Sequence, residues 1–380
     1  MALGKQEALE VGTATSQRER QKQLVLLLSR VWAWVFLGTM IVFFIVSVQT
    51  TSDGSVNFLT IRNSQNILVA ITPVLLLGLG QTFVIIAGGI DLSVGWMMSL
   101  ASVISALVIR ESFNAGQPLL MAVIVGFVAT VVGTGFVGFL NGTIIAKLKV
   151  PAFIVTLGSS FIVRGVAFLL TDNTTVIGLP SGLRDYGNNG LIYLIRGEGG
   201  SLFFLNPPEV TGDALRNMDR ILPYPVILTA IVVAIAIFVL RKTQFGRHTY
   251  AIGGNLEAAL RAGIPVDRHI ISLYTLSAVT AGIAGFLSTL RFTAGSAVIG
   301  DPLLLSSIAA VIIGGVSLFG GAGSVMGTVI GALIIAVLTT GLVMLNVQPF
   351  WQFIVVGIVV ILAVLIDQSR DLIIGRFESG

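Results

Sequence analysis

The sequence predicts an all-α, polytopic membrane protein of about ten transmembrane helices, with an internal repeat and a short cytoplasmic helix. Three observations predict it. Of 380 residues, 55% are hydrophobic and 11% charged, against roughly 25% charged in soluble domains. Apolar stretches of about 17–25 residues, enough to cross ~30 Å of hydrocarbon, recur along nearly the whole chain. Finally, "GGIDLSVG" at 88–95 aligns without gaps to "GGVSLFGG" at 314–321, the kind of self-similarity that duplicated transporter halves show. A β-barrel would show segments of about ten residues with alternating polarity, and none is present.

Residues 1–30 are polar and mixed in charge, unlike a cleavable signal peptide, and read as a cytoplasmic tail. The transmembrane domain then runs over 31–367, with spans expected at 31–48, 67–87, 94–110, 119–141, 152–170, 223–240, 269–290, 302–319, 325–345 and 350–366. Residues 368–380 form a second cytoplasmic tail, because an even number of spans returns the chain to its starting side. The positive-inside rule sets that side. With the N-terminus inside, Lys147, Lys149, Arg241, Lys242, Arg247, Arg261 and Arg268 fall on cytoplasmic segments, whereas the short outer loops hold only Arg62, Arg110 and Arg291.

Two connections are long. The periplasmic loop 171–222, with "GEGG" and "NPPEV", is large enough for a cap or docking surface, or is a plain polar loop. The inner loop 241–268 reads as ordered. Asn255 is a good N-cap, "LEAALRA" has high helix propensity, and Glu257 and Arg261 stand i,i+4. Gly263 and then Pro265 stop the helix, so 255–264 is a short cytoplasmic helix. The two echoed segments lie six spans apart, which implies a parallel repeat; a re-entrant segment between them would make it inverted.

Small residues at helical spacing, Gly138 with Gly142, Gly327 with Gly331 and Ala278 with Gly282, suit close helix packing in lipid. The pairs Gly88–Gly89 and Gly314–Gly315 differ, since each stands where a span ends or breaks. Asp91 has two readings. An aspartate at helix-centre depth costs about 2.5–3.5 kcal/mol on insertion scales and implies a structural or transport role; in a tight cytoplasmic turn it would cap the next span. The second copy has Ser317 in its place, so a carboxylate mechanism is not common to both. Arg164 stands about twelve residues into its span, roughly 18 Å up the helix, facing the bundle or snorkelling outward. Gln81, Asn141 and Thr156 suit interhelical hydrogen bonds.

Several chemistries are excluded. The only Gly-Lys pair, Gly4–Lys5, is followed by Gln6, so there is no P-loop. There is no HExxH, and His248 and His269 are the only histidines. With no cysteine, disulfides and thiolate metal sites are absent. "GGAGSVMG" lacks dinucleotide-loop spacing.

"GGIDLSVG", "VPAFIVTLG" followed by Arg164–Gly165, and "FGRHTYAIGGNLEAALRAGI" together resemble the permease subunits of bacterial ABC importers for ribose, xylose, galactose and inositol, over about residues 60–367. "EAALRAG" also fits the general importer pattern of EAA, three residues, Gly, although the later Ile-x-Leu-Pro is absent. The resemblance implies a multi-pass inner-membrane component, moving a monosaccharide or polyol inward. It would bind a separate cytoplasmic ABC ATPase, a periplasmic sugar-binding protein, and a second copy of itself or a related permease. No cofactor in this chain and no nucleic-acid partner is implied, since the ATPase subunit hydrolyses ATP. The coupling residues are then Asn255, Glu257, Ala258, Ala259, Arg261 and Gly263, and the pathway or gate residues Gly88, Gly89, Asp91, Ser93, Gly95, Arg164, Gly314 and Gly315. An ion-coupled secondary transporter is the alternative, and would need buried ionisable residues beyond Asp91. A passive channel would leave the cytoplasmic helix unexplained.

Overall fold

The computed structural model describes residues 32–50, 57–195, 201–205, 208, 218–359, 361, 362 and 365. The expected tails, "GEGG", and all of "NPPEV" except Pro208 lie outside the described residues. Among the described residues, eight helices are long and apolar enough to cross a membrane: α1 (Trp32–Thr50), α2 (Ile61–Ile86), α3 (Val94–Asn114), α4 (Leu119–Leu148), α5 (Ala152–Thr171), α7 (Tyr224–Lys242), α10 (Val266–Phe292) and α12 (Val325–Met344). Two apolar helices are shorter, α11 (Asp301–Ile313) and α13 (Pro349–Val359). The chain is thus a polytopic helical membrane protein, as its composition predicts.

Local chemistry sets the helix ends. Thr60 and Ser324 accept from the backbone N–H groups of Asn63 and Gly327 at the starts of α2 and α12. Proline immediately precedes α4, α5, α7 and α10, where its fixed φ suits helix entry. The expected span 302–319 is corrected. Its helix, α11, has 13 residues and so covers ~20 Å, short of the hydrocarbon thickness. It stops at Gly314, and Gly315, Gly320, Gly321 and Gly323 all take positive φ in the non-helical link to α12. Apolar composition had carried "VSLF" into the helix, whereas glycine conformation excludes it.

The 171–222 connection holds more than a polar loop. A short helix, α6 (Leu183–Asn188), precedes an antiparallel three-stranded sheet in the order β2 (Ser201–Phe204), β1 (Gly190–Ile195), β3 (Met218–Pro223). Ile192 pairs with Phe204 on one side and Ile221 on the other, and Tyr193 is fully buried. Short apolar runs of strand length do not separate from helix by periodicity alone.

The bundle is built on α10. It packs against α2, α3 and α4, and α2 packs against α11 and α12 in return. Gly80 lies beside Ser277 and Thr280 while Gly89 lies beside Tyr274, so α2 and α10 run antiparallel. The first helix of each run, α2–α5 and α10–α13, therefore packs on the second and third helices of the other, which is the reciprocity of an inverted repeat. The parallel alternative fails because the two echoed segments occupy different places: one joins α2 to α3, the other α11 to α12. All three small-residue pairs lie at crossings. Gly138 meets Ala278 and Tyr274, Gly142 meets Ile271, Gly282 meets Thr134, Gly327 meets Gly314 and Gly331 meets Ala310.

These crossings predict a sharp contrast in tolerance. A Cβ on Gly138 would lie 2.5 Å from both Ala278 Cβ and the Tyr274 carbonyl oxygen, whereas one on Gly158 meets nothing within 4 Å. Thermal unfolding of purified protein should show Gly138→Val destabilised by ~1–3 kcal/mol or more. Gly158→Ala should be neutral or slightly stabilising, by up to about 1 kcal/mol.

Candidate functional site

Both glycine pairs sit at helix C-termini closed by the same hydrogen bonds. At the end of α2, Gly88 N–H donates to Ile85 O at 2.9 Å and Gly89 N–H to Val84 O at 2.9 Å. At the end of α11, Gly315 N–H donates to Ile312 O at 2.8 Å and Val316 N–H to Val311 O at 3.2 Å. Gly88 and Gly315 supply the left-handed residue that this closure needs, with φ of +82° and +81°. The structural match is therefore Gly88 with Gly315, one residue out of step with the sequence echo, and it sets Asp91 opposite Leu318 rather than Ser317. The remaining glycines serve close approach. A Cβ on Gly89 would fall 2.6 Å from the Tyr274 hydroxyl, and one on Gly314 would overlap the Gly327 carbonyl oxygen.

From Gly89 the chain turns back into the bundle. Asp91 is 1% exposed. Its Oδ1 accepts from the backbone N–H of Ser93 at 2.9 Å and from Ser93 Oγ at 2.5 Å, and its Oδ2 accepts from Ser277 Oγ at 2.8 Å. Gln81 Nε2 donates to the Asp91 carbonyl oxygen, and Asn141 Nδ2 donates to Ser93 Oγ at 3.4 Å. Ser277 lies eleven residues beyond Val266, the first residue of the 27-residue α10, so Asp91 is held ~16 Å along a helix of ~40 Å. It is a deep residue, not a surface-turn residue. Its carboxylate accepts from hydroxyl and amide donors, with no lysine, arginine or histidine among them, and it fastens the loop before α3 to α10. Gln81 and Asn141 were expected to bond between helices; instead both bond to the loop between α2 and α3, because that buried loop presents the open acceptors. Thr156 does not, and donates to Ala152 O within its own helix.

Gly95, just inside α3, lies against Gly300 and Leu304 at the start of α11. The next residue, Trp96, is the partner of Arg164. The guanidinium carbon stands 4.6 Å from the Trp96 ring centroid and 5.7 Å from that of Phe168. Arg164 is exposed on α5 rather than inside the bundle, and Phe161, Ile162 and Leu169 of the same helix are exposed as well. Sequence reasoning missed Trp96 and Phe168; the signal available was Trp96 directly after "GGIDLSVG".

The 241–268 connection contains two helices, α8 (Gln244–Gly254) and α9 (Leu256–Arg261), where one was expected over 255–264. Glycines within "QFGRHTYAIGG" obscure α8. Thr243 caps it, and Gly246 and Gly253 are needed there because neighbouring backbone leaves no room for a Cβ. Asn255 caps α9, accepting from Ala258 N–H at 2.9 Å. Gly263 closes α9 at φ +76°, with Ile264 N–H donating to Ala259 O at 3.1 Å. Ala259 is buried with Ile252 and Val266. Glu257 and Arg261 pair at 3.7 Å with both side chains 84% exposed, a geometry that contributes little stability and leaves both groups presented outward.

Two substitutions test the Asp91 arrangement. In Asp91→Asn the amide oxygen still accepts both Ser93 donors and the amide N–H₂ donates to Ser277 Oγ, so folding and most uptake should persist. Asp91→Leu loses all three bonds and should cost several kcal/mol, at ~1.5–3 kcal/mol for each bond to a charged group. Size-exclusion profiles and thermal unfolding check folding; uptake below a tenth of wild type in folded Asp91→Asn would instead assign transport to the charge itself.

Residues 63–364 match the family described as branched-chain amino acid transport system, permease component. The fructose import permease protein of Rhizobium meliloti is 37% identical over 303 residues, 80% of this chain and 76% of its own. The xylose transport system permease protein of Haemophilus influenzae is 37% identical over 356 residues, 85% of this chain and 92% of its own. The ribose import permease protein of Bacillus subtilis is 37% identical over 336 residues, 88% of this chain and 92% of its own. No solved structure matches. With its helical bundle and doubled glycine breaks, this chain belongs to the branched-chain amino acid transport system permease family, a family of transport permeases rather than of enzymes.

Proposed function

We propose that this chain is the membrane permease subunit of an ATP-driven importer that moves a monosaccharide or polyol inward across the bacterial inner membrane, with both termini cytoplasmic. The observation that carries it is the shared cargo class of three relatives, named for fructose, xylose and ribose. The ion-coupled alternative loses its one candidate, because the Asp91 carboxylate is occupied by Ser93 and Ser277.

The geometry supports the parts that such a machine needs. The capped helix α9 presents Glu257, Ala258 and Arg261 outward and is fixed from behind by Ala259; with Asn255 and Gly263 at its ends it is the element that seats on a cytoplasmic ATPase. ATP is hydrolysed by that separate subunit, and this chain needs no cofactor of its own. The sheet of the outer connection is the docking surface for a periplasmic sugar-binding protein. Packed small-residue crossings let the bundle adopt a second arrangement under the bias of the ATP cycle.

Arg164 fits a place on the translocation pathway. Its exposed guanidinium lies ~18 Å along α5, where contact with hydrocarbon would cost ~2.5–3.5 kcal/mol or more. A water-filled pathway between this surface and a second copy, or a related permease, removes that cost.

Two measurements test these roles. Glu257→Ala and Gly263→Val should each reduce co-purification of the ATPase severalfold, and undiminished co-purification and uptake would sink the α9 assignment. Arg164→Ala should leave ATPase association intact while lowering sugar uptake severalfold; uptake equal to wild type would remove Arg164 from the pathway.

A further inference from the structure

At the inner end of the bundle three stretches of backbone meet without side chains between them. They are the end of α2 at Ile86–Gly88, the end of α8 at Gly253, and the α11–α12 link at Gly320–Gly321. Gly321 N–H donates to Ile86 O at 2.8 Å, which ties the link to α2. The Tyr250 hydroxyl donates to Gly323 O at 2.8 Å, which ties α8 to the same link. Burial raises the Tyr250 phenol above its ordinary value, against the opposing pull of Arg241, so it stays a neutral donor. A Cβ on Gly253 would overlap Ile86 O and stand 2.6 Å from Gly321 N; one on Gly320 would stand 2.9 Å from Gly253 O and 3.0 Å from Gly88 N. Backbone against backbone has no flexible side chain to absorb displacement, so whatever moves α8 moves both helix breaks with it.

Beside this junction is a cavity of about 350 Å³, bordered by Ala87, Gly88, Ile145, Ala152, Ile252 and Tyr274. It lies between the junction and the α4–α5 turn, and offers room into which the junction can shift. From Gly88 the chain continues directly to the Asp91 clamp on Ser277 and then to Trp96 beneath Arg164.

We propose that the Gly253–Ile86–Gly320 junction is the transmission point of the importer: motion of the α8–α9 pair passes through it as one displacement, into the cavity, to both helix breaks and on to the start of α3. Gly253 is thus a positioning residue that couples ATP hydrolysis to transport without contacting either the sugar or the ATPase. This rests on the importer function proposed above.

The test uses the full complex of permease, ATPase and sugar-binding protein in proteoliposomes, with three readouts: ATPase co-purification, ATP hydrolysis and sugar uptake. Gly253→Ala should retain co-purification and at least half of the hydrolysis while uptake falls tenfold or more, an uncoupled pattern that a loss of docking would not give. Gly38→Ala on α1, whose added Cβ meets nothing within 4 Å, should match wild type. Ala152→Phe, which fills the cavity from its far wall, should reproduce the uncoupling and decides the question if Gly253→Ala does not fold. Uptake within twofold of wild type in folded Gly253→Ala or Ala152→Phe overturns the proposal, as does loss of ATPase association in Gly253→Ala. If the importer function itself fails, the wild-type chain will not associate with the ATPase, a result separate from either.

Discussion

Every backbone N–H and C=O within a hydrocarbon layer must find a partner inside the protein, and here that constraint falls on two interrupted helices. Both interruptions meet it in one way. A glycine at positive φ lets the last carbonyls of α2 and of α11 accept from the two residues that follow, so the chain can leave the helix with its final turn satisfied. The first break has a further demand, since it must carry a buried loop back up to α3. The Asp91 carboxylate supplies acceptors for Ser93 and Ser277, and Gln81 caps its carbonyl. The aspartate is therefore part of the solution for the loop's polar groups before it is anything else.

Those breaks are tolerable because the surrounding helices approach closely. Lipid gives no hydrophobic drive for helix association, so contact area through small residues has to hold the bundle. Gly138 and Gly142 bring α4 onto α10, Gly285 brings α10 onto α3, and Gly331 brings α12 onto α11. Serine and threonine add bonds where the crossings are tight: Thr82 meets Thr328 at 2.6 Å, and Ser105 donates to Thr289 at 2.9 Å. Opposed direction of the two runs follows from this packing, with α2 and α10 as the antiparallel centre.

Much of the site was legible from local chemistry. Asn255 as a cap, Gly263 as a stop and the Glu257–Arg261 pair all depend on residues within four positions of one another, and the structure shows each. The small-residue pairs were legible for a similar reason, because helical spacing alone puts them on one face. By contrast α8 was hidden: its sequence has three glycines, two of which are accounted for only by the backbone of Leu240 and of Ile86 packed against them. The strands of the outer connection were hidden too, since a six-residue apolar run pairs as a strand only when neighbours such as β3 are present. The register of the glycine echo misled by one residue, because letters were aligned where hydrogen bonds define equivalence.

By itself the sequence determined the membrane class, the helical content, the capped α9 and the location of the helix breaks. These follow from composition, helix-length apolar runs and glycine, which act within one element. Only the tertiary structure decided the depth of Asp91, the inverted order of the two runs, the Arg164–Trp96 contact and the junction at Gly253. Each of these joins residues distant along the chain, 68 positions apart for Trp96 and Arg164, 186 for Asp91 and Ser277 and 235 for Ile86 and Gly321. No local propensity encodes such pairings; they exist because the packing of the bundle brings those groups together.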